Sequence, residues 1–284
     1  MKKYFYLFIS LFVLSCSTEE DFIENPESEV TTNEIVAKNS NPVKLVKAWK
    51  SFGSYRGYTS YYHKFAVEVA NLAYDKSVSI YHEKKDGSWD DITLSYNTTI
   101  DNQTELWTGE YSQGGYGITE EYDDEFVIKY VVNGSSTYWD NNFGANYRMD
   151  NQEGYLFAKS DLNVSVDTDF VSLSYSPYDN KNTFNITVDV RNLSPDKEVG
   201  VVYSSDGWQT QKYAPLAFRS TWTNGPFYSI QSPNNYNVER WQGYAALDAS
   251  EDQVEYAVVY SVNGDEYWDN NYGNNYTVTI NSYN

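Results

Sequence analysis

One stretch occurs twice in this chain, and any fold has to accommodate both copies. From Val132 to Tyr147 the sequence reads V-N-G-S-S-T-Y-W-D-N-N-F-G-A-N-Y, and from Val262 to Tyr276 it reads V-N-G-D-E-Y-W-D-N-N-Y-G-N-N-Y. The shared core, Y-W-D-N-N-(F/Y)-G-x-N-Y, occupies Tyr138–Tyr147 and Tyr267–Tyr276. Asp and Asn side chains bond to nearby backbone, and Asn and Gly tolerate positive φ, so the core reads as a demanding turn between two strands. The likeness extends upstream. V-E-V-A-N-L-A-Y-D-K-S-V, from Val67, matches V-D-V-R-N-L-S-P-D-K-E-V, from Val188. D-G-S-W at Asp86–Trp89 matches D-G-W at Asp206–Trp208. Asn71 and Asn192 lie 121 positions apart, and Trp139 and Trp268 lie 129 apart, so the second copy carries eight extra residues, expected between Trp208 and Trp241. A repeat of this size is a duplicated domain rather than a solenoid unit.

Each copy is built from short alternating runs. In Lys64–Leu72, Phe65, Val67 and Val69 face one way and Lys64, Ala66, Glu68 and Ala70 the other, the pattern of a strand with one dry face. Lys76–His82 repeats it with Val78 and Ile80 inward. Further strands are predicted at Val43–Trp49, Ile92–Tyr96, Thr104–Thr108 and Glu125–Val132, with Ser51–Tyr58 as a Gly-rich turn region. Asp86-Gly87 is a strong turn signal. With no helical apolar stripe, the expected class is all-β: two tandem antiparallel domains, each a β-sandwich or small barrel. The expected organisation is 1–16 signal peptide, 17–42 acidic tether, 43–150 first sandwich, 151–163 linker and 164–284 second sandwich.

The start of the chain carries its own signal. A basic Met1–Lys3 is followed by an apolar run from Tyr4 to Leu14 and then V-L-S-C, ending at Cys16. The run is too short to span a bilayer and has the shape of an export signal. V-L-S-C resembles a bacterial lipobox, which implies cleavage before Cys16 and lipidation of that cysteine. The acidic S-T-E-E-D that follows resembles the surface-export signal of Bacteroidetes lipoproteins. The expectation is an outer-membrane lipoprotein exposed at the cell surface. Cys16 is the only cysteine, so no internal disulfide framework exists. With 20 Lys plus Arg against 40 Asp plus Glu, the net charge of −20 repels nucleic acid.

The chemistry of the repeated loop favours a neutral, polar-edged ligand. A Trp beside Asn residues offers a flat apolar platform and amide hydrogen bonds together. A pyranose needs both, for its C–H face and for its hydroxyls. The full set (V-x-V-x-N-L-x-x-x-K-x-V, then D-G-x-W, then Y-x-V-N-G and the repeated core) strongly resembles carbohydrate-binding module family 21, the starch- and glycogen-binding module. The resemblance covers about 43–150 and 164–284. It implies two tandem antiparallel β-sandwich domains of immunoglobulin-like type, non-catalytic, in which one sugar site pairs the D-G-x-W Trp with the aromatic before D-N-N. That places Trp89 with Trp139, and Trp208 with Trp268. The polar part of the site then falls on Asn141, Asn142 and Asn146 in the first copy and on Asn270, Asn271 and Asn275 in the second. A second family site falls on Tyr74, with Tyr96 as companion, but meets Pro195 in the second copy. A further family aromatic falls on Val127 and Ala257, which thins the first site. Phe65, Val67, Val69, Trp107 and Trp241 are expected in the cores. Tyr55, Tyr58, Tyr61 and Tyr62 either extend the binding face or cover the sandwich.

The expected function is capture of α-glucan at the cell surface, delivering it to a hydrolase or an outer-membrane uptake system. The alternative is a surface adhesion protein that binds another protein. An enzyme is disfavoured. The two histidines, His63 and His82, both lie in the first copy, and Asp140 and Asp269 are solitary acids within their loops. No cofactor is expected. D-N-N-F-G-A-N fails the calcium-loop pattern, with Gly144 at position five and no Glu at position twelve. A structural calcium ion elsewhere stays open.

Overall fold

The computed structural model describes residues 41–116, 124–149, 153–224 and 228–280. Cys16 and the tether before residue 41 lie outside the described residues. The first copy comprises β1 (Val43–Tyr55), β2 (Tyr58–Ala70), β3 (Lys76–Glu83), β4 (Trp89–Thr93), β5 (Ser95–Asp101), β6 (Thr104–Tyr116), β7 (Asp124–Val132), β8 (Ser136–Asp140), β9 (Tyr147–Met149) and β10 (Tyr155–Phe157). The second comprises β11 (Val164–Val166), β12 (Ser172–Ser176), β13 (Lys181–Arg191), β14 (Lys197–Ser204), β15 (Lys212–Pro215), β16 (Ala217–Arg219), β17 (Thr221–Asn224), β18 (Tyr228–Gln231), β19 (Val238–Asp248), β20 (Gln253–Val262), β21 (Asp265–Asp269) and β22 (Tyr276–Thr279).

In the first sandwich, the sheet β10-β1-β2-β6-β5 faces the sheet β4-β3-β7-β8, where β9 also pairs with β7. In the second, β11-β13-β19-β16 faces β15-β14-β20-β21, with β12 beside β13 and β22 beside β20. The alternation read from sequence places the cores correctly. Phe65, Val67, Val69, Val78 and Ile80 all lie in the first core, with Trp107 packed against its edge. Phe184, Ile186, Val188 and Val190 lie in the second, with Trp241 at its edge.

The upstream motif is architecture in both copies. Lys76 Nζ donates to Asn71 Oδ1 at 2.5 Å and to Glu105 at 2.7 Å, and Glu105 also accepts from the Trp107 indole. Lys197 does the same with Asn192 at 2.5 Å and Glu239 at 2.8 Å, and Glu239 accepts from Trp241. The N-L-x-x-x-K spacing is therefore a clasp between the two sheets of a sandwich. The fully buried Tyr130 and Tyr260 add a second shared tie, through hydroxyls that donate to the carbonyls of Ala70 and Arg191.

Two stretches differ from the sequence reading. Ser51–Tyr58 is strand apart from Arg56-Gly57, where φ values of 50° and 84° make a two-residue hairpin turn. Gly114, on the neighbouring strand, lies under a ring: a Cβ there would be 2.9 Å from the Tyr58 ring. The expected linker 151–163 contains β10, which pairs with β1 through Lys47, Ala48 and Trp49. The first sandwich thus runs past residue 150. Its edge strand also meets the second sandwich, where Asn234 Nδ2 donates to the Tyr155 carbonyl at 2.7 Å.

The extra residues of the second copy include the hairpin β17-β18, which among the described residues pairs with no other strand. It wedges over Gly154, where a Cβ would lie 2.5 Å from Ile230 Cδ1 and 2.9 Å from the Trp222 ring, at a φ of 67°. Gly154→Ala therefore combines backbone strain with overpacking. It should destabilise the chain by about 2 kcal/mol or more in urea denaturation.

Candidate functional site

The two D-N-N loops fold alike. Asn142, Phe143, Gly144 and Asn146 have φ of 51°, 57°, 92° and 55°, and Asn271, Tyr272, Gly273 and Asn275 have 53°, 54°, 89° and 57°. This is why the pattern is rich in Asn and Gly, which tolerate the left-handed region. Asp140 Oδ2 accepts from the Leu45 amide at 2.8 Å, and its carboxylate accepts from the Tyr147 hydroxyl. Asp269 accepts from the Val166 amide at 2.7 Å and from the Tyr276 hydroxyl at 2.8 Å. Burial, then the adjacent carboxylate, raises both tyrosine pKa values. Each Asp-Tyr pair thus ties its loop to the first strand of its own sandwich.

The amides divide between loop and site. Asn142 Nδ2 donates to the Asn146 carbonyl at 3.0 Å, and Asn271 donates to Asn275 at 3.0 Å, so these two close the loop. Asn141 and Asn270 accept from Gly144 and Gly273 amides through Oδ1. Their Nδ2 groups have no recorded hydrogen bond among the described residues. Asn146 Nδ2 donates to Glu125 at 2.7 Å. In the second copy the matching acid, Glu255, instead accepts from the Trp208 indole at 2.6 Å, and no bond of the Asn275 side chain is recorded among the described residues.

In the first sandwich the expected residues converge. Trp89, Trp139, Asn141 and Asn146 line one cavity of about 370 Å³ with Tyr81 and Val127. Tyr81 is the link between the tryptophans, with ring centroids 5.3 Å from Trp89 and 5.9 Å from Trp139. Lys129 lies 5.7 Å from the Tyr81 ring and 5.9 Å from the Trp139 ring, and its ammonium bonds to Asp91 at 2.9 Å. The Trp139 carbonyl accepts from Asn41 at 2.9 Å. The D-G turn sets Trp89: Asp86 accepts from the Ser88 amide and hydroxyl, which holds its carboxyl below the usual range.

Tyr81 lies directly across the ladder from Val127. The aromatic that the resemblance leaves missing at Val127 is thus supplied by the neighbouring strand. Sequence reasoning passed Tyr81 over because an outward tyrosine on a strand carries no signal of its own. The available clue was its replacement by Val202 in the second copy.

The second copy is built differently. No ring contact joins Trp208 and Trp268 among the described residues. Trp208 sits at φ 64°, because its D-G turn is one residue shorter. Asp206 anchors that turn by accepting from Thr210 and Ser204, which lowers its pKa to about 2. Trp268 is half-exposed and pairs with Val259 on β20. Tyr213 covers Gly200 on the neighbouring strand, where a Cβ would meet its ring at 2.3 Å.

Outside these sites, Tyr74 is fully exposed between β2 and β3. Tyr96 makes an edge contact with Trp107 at 6.3 Å, and no ring contact joins it to Tyr74 among the described residues. Phe143 was also passed over. It is fully exposed at the tip of its loop in a conformation unfavourable for an aromatic, and Tyr272 repeats that backbone conformation but is less exposed. Among the described residues, no group of three or more His, Cys, Asp or Glu is placed to hold a metal ion.

Residues 165–279 match the family model for carbohydrate/starch-binding module (family 21). The chain contains a family 21-like carbohydrate-binding domain of the starch/glycogen-binding type. Glucoamylase 1 of Rhizopus oryzae is 35% identical over 88 residues, covering 29% of this chain and 13% of that enzyme. The chain therefore spans only a small part of this relative. Among solved structures, the starch binding domain of Rhizopus oryzae glucoamylase, in complex with beta-cyclodextrin and maltoheptaose, is 32% identical. It covers 39% of this chain and 95% of its own, with a TM-score of 0.28. The carbohydrate binding module of the muscle glycogen-targeting subunit of Protein Phosphatase-1 is 18% identical, covering 43% of this chain and 85% of its own, with a TM-score of 0.29. The family 21-like domain is a binding module and not a catalyst. Its matched span begins in β11 and ends in β22, so it contains Trp208, Trp268 and the second D-N-N loop.

Proposed function

We propose that both sandwiches bind α-glucan, such as starch, glycogen or maltooligosaccharides, and that the chain holds the polysaccharide at the cell surface. The observation that carries this reading is the Trp89–Tyr81–Trp139 arrangement around a cavity edged by Asn141 and Asn146. Three aromatic faces with adjacent amides suit a sugar ring, whose C–H face is apolar and whose edge carries hydroxyls. The first sandwich shares the second's loop, clasp and D-G turn, which supports a common role. Lipidation at Cys16, export to the outer-membrane surface and delivery to a hydrolase or uptake system complete the proposal. They rest on the V-L-S-C motif and the acidic segment behind it.

A native gel containing soluble starch, glycogen or pullulan tests the binding. Retardation by at least one of them is expected, and unretarded migration in all three overturns it. Tyr81→Ala removes the bridge between the two tryptophans. It should weaken the first site by about fivefold in calorimetric titration, the equivalent of roughly 1 kcal/mol of lost ring contact. The melting temperature should stay within a few degrees, because Tyr81 faces outward from the core.

A further inference from the structure

The second loop does not stand clear of its neighbour as the first one does. Phe143 is 107% exposed, whereas Tyr272, at the same loop position, is 41% exposed. The chain enters the second sandwich at β11 directly from the first, which sets the first sandwich beside this loop. A cleft of about 290 Å³ lies between them. Trp268, Asn270 and Tyr272 line it from the second sandwich, and Trp49, Glu68 and Asp161 line it from the first sandwich and the connection behind β10.

The cleft walls are held in place. Lys159 pairs with Glu68 at 2.8 Å and with Asp161 at 3.7 Å. The Trp49 indole donates to Asp169 at 3.1 Å. Burial raises the Tyr272 pKa, and the charges of Glu68, Asp269 and Asp161 raise it further, which agrees with its place among these carboxylates. Trp268 and Asn270 belong to the repeated binding loop and also border the cleft, so the two regions are continuous.

We propose that an α-glucan chain seated on Trp268 continues into the cleft between the sandwiches, where Glu68 and Asp161 accept hydrogen bonds from its hydroxyls. The second site is then composite, completed by the first sandwich, and has no counterpart at the Phe143 loop. Carboxylates accept from adjacent hydroxyl pairs, and aromatic walls receive the apolar sugar face. The cleft volume falls at the small end of the roughly 300–1,000 Å³ typical of ligand pockets, so a short length of chain enters. This inference rests on the proposed glucan binding.

Calorimetric titration of the Trp139→Ala protein with maltotriose and with maltoheptaose tests it, because that background leaves the second platform as the main site. Maltoheptaose should bind about tenfold tighter than maltotriose, the equivalent of one added good contact. Adding Glu68→Gln with Asp161→Asn, or adding Tyr272→Ala alone, should remove that gain and leave maltotriose within about twofold. A melting curve checks that each variant folds. An undiminished preference for the longer sugar in both variants overturns the composite site. Loss of all binding in the Trp139→Ala protein, while the unmodified chain still binds, also overturns it. Failure of the unmodified chain to bind either sugar overturns the glucan reading itself.

Discussion

Replacing Trp139 and Trp268 together by alanine should abolish retention by soluble starch in a native gel while leaving the protein folded. Both rings are outside the cores, at 43% and 50% exposure, and both project from edge strands, opposite Lys129 and Val259. If a sugar covers about 50 Å² of each ring, area bookkeeping gives roughly 1 kcal/mol per platform. One such stack changes affinity only about fivefold. On a polymer, however, binding at one platform raises the local concentration of ligand at the other, so losing both costs far more than the two single losses suggest. The double variant should lose about 100-fold or more in apparent affinity, and each single variant an intermediate amount. Circular dichroism and a melting curve supply the control. Unchanged retention, or a variant that no longer folds, overturns the platform role. Trp107→Ala should behave oppositely, because that ring packs against the first core and donates to Glu105.

Arg240→Met should be the most destabilising single substitution in the buried ion cluster of the second sandwich. Arg240 is 3% exposed and bonds to Asp189 at 2.9 and 2.8 Å and to Asp167 at 2.5 Å. Its guanidinium also lies 4.5 Å from the Trp222 ring. Removing the cation strands two buried carboxylates, a loss of about 3–5 kcal/mol. Burial already pushes the Asp167 pKa up to about 6 against the pull of Arg240. The folded chain therefore holds this proton more tightly than the unfolded chain. The group's contribution to stability is full below its unfolded value of about 4. That contribution is lost as pH rises through about 6. Without Arg240 the Asp167 carboxyl shifts further upward, so the deficit should be largest at pH 7 and smaller at pH 5. Urea denaturation at the two pH values checks this. A deficit below about 1 kcal/mol, or one that grows on acidification, contradicts the account.

Much of the architecture was legible because its causes are local. Period-2 alternation located Phe65, Val67, Val78 and Ile80 in the core, and Asp86-Gly87 and Asp206-Gly207 marked turns. The internal repeat located the loops, since only Asn and Gly readily take the backbone that Asn142 and Gly144 adopt. What escaped depends on contacts between distant segments. Tyr81 joins the site through its place opposite Val127, and the Tyr58 ring lies over Gly114, leaving no room there for a Cβ. The stretch 151–163 looked like a linker because three residues of strand are too few to show a period. The family resemblance placed Asn142 and Asn271 among the ligand-facing amides. Only coordinates show that their donors close the loop, while Asn141 and Asn270 keep theirs outward.

The buried contact that Asn234 makes with β10, beside the β17-β18 hairpin packed over Gly154, has a consequence for what the chain can discriminate. Two modules on a slack string sample every spacing and grip any polymer equally well. Two modules locked at one separation and angle act as a caliper. They favour a glucan that presents sugar faces at that interval, whether along one coil or across neighbouring branches, and they gain nothing from one that does not. If both sandwiches bind glucan as proposed, branching and helical pitch, rather than sugar identity alone, become properties that this protein measures.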